Sequence, residues 1–99
     1  MLRRSPQLTP LPTSATGGVC FAVDLVVDRH DAPRVAARGG TVDVVNVVEL
    51  GDDDAGRRVR FIVEADLGEA PFDVQLIVAV DGREETIAGP RVPARSARE

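Results

Sequence analysis

The sequence predicts an all-β fold, a small antiparallel meander forming a β-sandwich or half-open barrel. Three observations predict it. Segments at 19–27, 41–50, 57–67 and 72–80 set apolar residues at alternate positions, the period of a strand with one buried face. The chain has three phenylalanines, at 21, 61 and 72, and all fall on the apolar parity of their segments. Turn formers separate the segments, with Gly39-Gly40, the Gly- and Asp-rich stretch 51–56, Gly68–Pro71 and Asp81-Gly82.

The first strand is expected at Val19–Val27, with Val19, Phe21, Val23, Leu25 and Val27 on one face and Cys20, Ala22, Asp24 and Val26 on the other. Pro33 then disfavours a helix at Ala32, and Val35–Arg38 fits either a short strand or part of a long connection. The second strand spans Thr41–Leu50. Asn46 interrupts the parity of Val42, Val44, Val48 and Leu50, and Val45 and Val47 sit on the opposite face. Either both faces are partly covered or, the preferred reading, a bulge near Asn46 switches the alternation midway.

Residues 51–56 are expected to form a loop and Arg57–Leu67 the third strand, with Val59, Phe61, Val63, Ala65 and Leu67 inward. The fourth strand is Phe72–Val80, carrying Phe72, Val74, Leu76, Val78 and Val80 on one face. Asp81-Gly82 then suits a two-residue hairpin turn of type I′, because both residues tolerate positive φ. In that register Arg83 stands opposite Val80, Glu85 opposite Val78 and Ile87 opposite Leu76. Charge on the core-facing parity marks Arg83–Ala88 as an edge strand, and Gly89-Pro90 is expected to end the domain.

This divides the chain into a flexible Pro/Ser/Thr-rich arm at 1–18, a β domain at 19–90 and a flexible Arg-rich tail at 91–99. A domain this small leans heavily on its core. One cysteine forms no internal disulfide, and Cys20 with the single His30 does not complete a four-ligand zinc site. The core, a partner or self-association must therefore hold it.

Charge is unevenly placed: residues 19–90 carry −8, and each tail carries +2. An acidic body without Trp or Tyr repels phosphate backbones and offers few stacking platforms, so no nucleic-acid partner is expected. Arg3-Arg4 precedes three prolines rather than the apolar run of a secretion signal, and no stretch is apolar enough for a membrane span. With a lone cysteine, the expected location is cytoplasmic.

Chemistry-bearing residues are few. Asp52-Asp53-Asp54 between glycines is the sharpest local feature. Clustered carboxylates can wrap a divalent cation, but the run lacks the alternate spacing and closing Glu of an EF-hand, and Asp and Gly are ordinary turn formers. Cys20, His30 and Asp31 suggest a nucleophile, base and orienter, yet no flanking cation or helix N-terminus lowers the thiol pKa. A half-buried structural cysteine and a loop histidine are expected instead. Asp24, Asp28, Asp43, Glu49, Glu64 and Asp66 fall on outward parity beside Arg58 and Arg60, which predicts cross-strand ion pairs rather than acid–base catalysis. No catalytic, cofactor or metal-ligating residue is assigned.

The run D-L-V-V … G-G-T-V-D-V-V-N-V-V resembles bacterial immunoglobulin-like modules in its alternating valines and Gly-marked turn; no function is carried over from it. The expectation for function is a non-catalytic interaction or accessory module, acting through its sheet surface or edge and self-associating. The alternative is a divalent-metal-binding or hydrolytic protein using the Asp-rich loop 51–56.

Overall fold

The alternation folds as seven antiparallel strands in a computed structural model that describes residues 5–12, 18–54 and 56–95, the Asp53 side chain excepted. They are β1 (Gln7–Leu11), β2 (Val19–Val27), β3 (Arg34–Arg38), β4 (Thr41–Asp53), β5 (Gly56–Asp66), β6 (Phe72–Val80) and β7 (Arg83–Val92). The fold is all-β as expected, and of the sandwich and the half-open barrel it is the sandwich that forms, as two antiparallel sheets. One sheet has the order β1-β2-β5-β4 and the other β3-β6-β7. The order is not sequential, because the chain changes sheet after β2, β3 and β5. Seven strands in these two orders are the arrangement of a constant-type immunoglobulin sandwich. The chain lacks that fold's inter-sheet disulfide and buried Trp, having one Cys and no Trp.

The core lies between the sheets. Phe21, Val23, Leu25 and Val27 of β2 face Val74, Leu76, Val78 and Val80 of β6, and Val59, Phe61, Val63 and Ala65 of β5 complete it. Each set sits on the parity expected of it. Leu67 and Phe72, also expected inward, are partly buried against the same cluster. Among the described residues no polar or charged side chain is buried, so burial rests on aliphatic and aromatic groups alone.

Two turns need their glycines. Gly39 and Gly40 carry φ of 118° and 43°, and a Cβ on Gly40 would lie 2.6 Å from the Phe72 ring. Their turn carries the chain from β3 in one sheet to β4 in the other. Asp81 and Gly82, with φ of 53° and 78°, make the expected β6–β7 hairpin, and its register is the expected one: Arg83 with Val80, Glu85 with Val78, Ile87 with Leu76. β7 is an edge strand, as its charged inward positions indicated.

The bulge expected near Asn46 is present. Val44 pairs with Val63 and Asn46 with Ile62, leaving Val45 as the extra residue. Even-numbered Val42 and Val44 face inward before it, and odd-numbered Val47 joins the Phe61 face after it.

Several bounds differ from those expected. The undecided segment 35–38 is a strand, β3. The loop expected at 51–56 is mostly strand: β4 runs on to Asp53 and β5 begins at Gly56, with a second register shift between Glu49 and Gly51. Asp and Gly suit a bulged hairpin end as well as a loop, so composition alone did not separate the two.

Residues 7–11, inside the segment expected to be an arm, form β1 against β2, with Pro10 tolerated because β1 is an edge. Gly89-Pro90 does not end the last strand. Between Asp73/Arg91 and Gln75/Ala88 the two residues lie opposite Val74 alone, a bulge that turns Val92 into the core. Arg95 continues the attachment, its N–H and guanidinium donating to the carbonyls of Gly68 and Leu67. Of the expected flexible tails, residues 1–4, 13–17 and 96–99 lie outside the described residues.

Candidate functional site

β4 is the longest strand, at thirteen residues, and it lies at the edge of its sheet. Its neighbour across the sandwich, β3, has five. At roughly 3.3 Å per residue, β3 covers about 17 Å of a strand about 43 Å long. Val42 and Val44, near the Gly39-Gly40 turn, are covered and pack on the core. Beyond them every residue from Val45 to Asp52 is exposed.

That uncovered length is apolar. Val45 and Val47 are 53% exposed, Val48 37% and Leu50 44%. The bulge distributes them, since Val47 lies opposite Phe61 on the inner face and Val48 opposite Arg60 on the outer face. Greasy side chains therefore project on both sides of a strand whose outer edge has no strand beside it among the described residues. At the bulge the Val47 N–H donates to Asn46 Oδ1 at 2.9 Å, which satisfies one main-chain donor locally.

Charge frames the stretch. On the inner face Arg57 grips Glu49 through both carboxylate oxygens, Nε to Oε1 at 3.0 Å and Nη2 to Oε2 at 2.5 Å, and its Nη1 donates to the Asp31 carbonyl at 2.6 Å. The hydrogen bond to Arg57 holds the Glu49 carboxyl below the usual carboxylate range and raises Arg57 in turn. On the outer face Arg60 takes Asp24 through two bonds of 2.7 and 3.0 Å. These are cross-strand ion pairs of the kind the outward parity indicated, although Glu49, after the bulge, belongs to the inner face. Asp43 lies directly opposite Glu64, and Glu64 opposite Cys20.

The residues expected to suggest a cysteine nucleophile are not brought together. Cys20 starts β2 and His30 and Asp31 follow its far end, roughly 23 Å away along the strand. Partial burial, with Glu64 adding to it, pushes the Cys20 thiol up, which makes thiolate scarcer. Asp52 and Asp54 are exposed at the β4–β5 hairpin, and the Asp53 side chain and Ala55 lie outside the described residues. Among the described residues no group of three or more His, Cys, Asp or Glu is placed to hold a metal ion. No helix among them is long and apolar enough to cross a membrane.

The opposite side of the sandwich has an apolar groove of about 330 Å³ between β1 and β7, lined by Leu8, Pro10, Val19, Phe21, Gly89 and Pro90 among others. It places β1 and β7 together on that side, as the turn at Gly39-Gly40 places β3 and β4 together on the other. Comparison with protein-family models, curated proteins and solved structures finds no match.

Proposed function

We propose that this chain is a non-catalytic protein–protein interaction module that docks through the free edge of β4 and self-associates there. The observation that carries the reading is the apolar run Val45, Val47, Val48 and Leu50 on an edge strand. Soluble β proteins normally blunt or cover such edges, and a docked strand would cover this one. Enzymatic chemistry has less support, since no described charged group is buried where its pKa could be tuned for proton transfer. The single cysteine suits a cytoplasmic location.

The test is sedimentation velocity on the full chain over a range of concentrations, repeated with Val47→Lys and Val48→Lys. Both sites are exposed, so the fold tolerates them. The expected result is association in the wild type that either lysine weakens. Association undiminished by both substitutions, or a chain still monomeric at about 1 mM, where only negligible affinities go undetected, would overturn the reading.

A further inference from the structure

We infer that the occupant of this edge is a second copy of the chain, docked so that β3 of each copy lies beside β4 of the other. The inference rests on the reading of β4 as a docking edge and names its partner.

Charge selects the arrangement. The side chains described on β4 include the acids Asp43, Glu49 and Asp52 and no cation. β3 reads R-V-A-A-R, with Arg34 and Arg38 exposed and no acid. Glu49 is already neutralised by Arg57, whereas the side chains of Asp43, Arg34 and Arg38 form no ion pair or hydrogen bond among the described residues. β3 and β4 are both edge strands, in different sheets, on the same side of the sandwich. Pairing β4 with β4 sets acid against acid and β3 with β3 sets cation against cation. Pairing β3 with β4 joins opposites twice.

Symmetry permits it. A two-fold axis parallel to the strands, midway between the sheet planes, brings β3 of the second copy alongside β4 and the reverse. The sense is antiparallel, because β3 and β4 run in opposite directions around the Gly39-Gly40 turn and this axis preserves strand direction. Height is preserved as well. Arg38 of the second copy comes to the level of the Thr41–Asp43 end of β4. At about 3.3 Å per residue β3 then reaches roughly 17 Å from that end, to about the level of Val47, and the segment from Asp31, whose carbonyl accepts a hydrogen bond from Arg57, continues towards the far end of β4. The outer face of one sheet then continues into the outer face of the other, where Arg34, Ala36 and Arg38 meet Asp43 and Val48. The aliphatic stems of the arginines lie over the exposed valines.

A charge swap tests the pairing by sedimentation equilibrium, with circular dichroism confirming that each variant is folded. Arg38→Glu alone and Asp43→Arg alone are each expected to raise the dimer dissociation constant roughly tenfold or more, since like charges then oppose one another twice. The double variant R38E/D43R restores both contacts and is expected to dimerise like the wild type. An equimolar mixture of the two single variants should associate more tightly than either alone. If R38E dimerises as the wild type does while V48K abolishes association, the edge docks but β3 is not its partner, and this inference falls while the reading of the edge stands. If V47K and V48K leave association intact, both fall.

Discussion

Arg57 closes on Glu49 with two guanidinium nitrogens while its third reaches back to the carbonyl of Asp31. One side chain thus ties together β5, the outer length of β4 and the link between β2 and β3. Glu49 is lowered from its ordinary value of 4.5, so its contribution to stability is fully present above that value and drains away as pH falls through the lower, folded-state value. Thermal melts are expected to show the wild type losing stability below pH 4.5 more steeply than Glu49→Gln, which has no carboxylate to titrate. Equal acid slopes for the two proteins would show that the contact contributes nothing to folding.

Glu64 has a different surrounding, with Asp43 opposite it on β4 and Cys20 opposite it on β2. Directly opposed like charges on a sheet are destabilising, by about 0.5 kcal/mol in ordinary cases. Glu64→Gln is therefore expected to raise the melting temperature slightly. The same substitution should lower the Cys20 thiol pKa without returning it to its ordinary 9.0, because burial, the larger cause of its elevation, remains. Absorbance of the thiolate against pH reads the second effect independently of the first.

The parts of this fold legible in the sequence are those that a two-residue period governs. β2, β5 and β6 keep one inward–outward alternation, and their inward residues are the core. The bulge at Val45 was also legible, because Asn46 is a polar residue on an apolar parity and something must turn it outward. Four features were not legible. β1 is exposed along most of its length and contains Pro10, so it carries neither alternation nor strand propensity. The β4–β5 hairpin is written in Gly and Asp, which serve loops and bulges alike. Val92 lies beyond a Gly-Pro pair that reads as a terminator, and only the bulge opposite Val74 returns it to the core. The edge of β4 escaped for a related reason: its valines look like core residues until the shortness of β3 is known.

Val92 makes the extent of the domain measurable. It is completely buried, although it lies past residue 90. Val92→Ala removes two buried carbons and leaves a cavity, an expected cost of about 2 kcal/mol. In a domain whose total stability is of the order of 5 kcal/mol, that shifts the denaturant midpoint visibly. Arg91→Ala serves as the control, since its bond to Asp73 is exposed at 3.3 Å and surface pairs of that kind contribute little. Matching midpoints for the two variants would mean that the strand's last residues are dispensable.

Gly40 and Gly82 separate steric from conformational demand on glycine. Both have positive φ, 43° and 78°, so alanine at either site is strained by about 1 kcal/mol. A Cβ on Gly82 meets nothing within 4 Å, whereas one on Gly40 would sit 2.6 Å from two atoms of the Phe72 ring. Phe72 packs against the core, so moving its ring disturbs the contacts behind it. Gly82→Ala is therefore expected to cost only the backbone term, and Gly40→Ala to cost that plus an overpacking penalty of about 1–3 kcal/mol. Because the Gly39-Gly40 turn also sets β3 beside β4, Gly40→Ala should weaken self-association beyond its effect on folding, while Gly82→Ala should leave it unchanged. Urea unfolding with sedimentation on the same two samples separates the effects. Equal losses in both assays would place the turn's importance in folding alone.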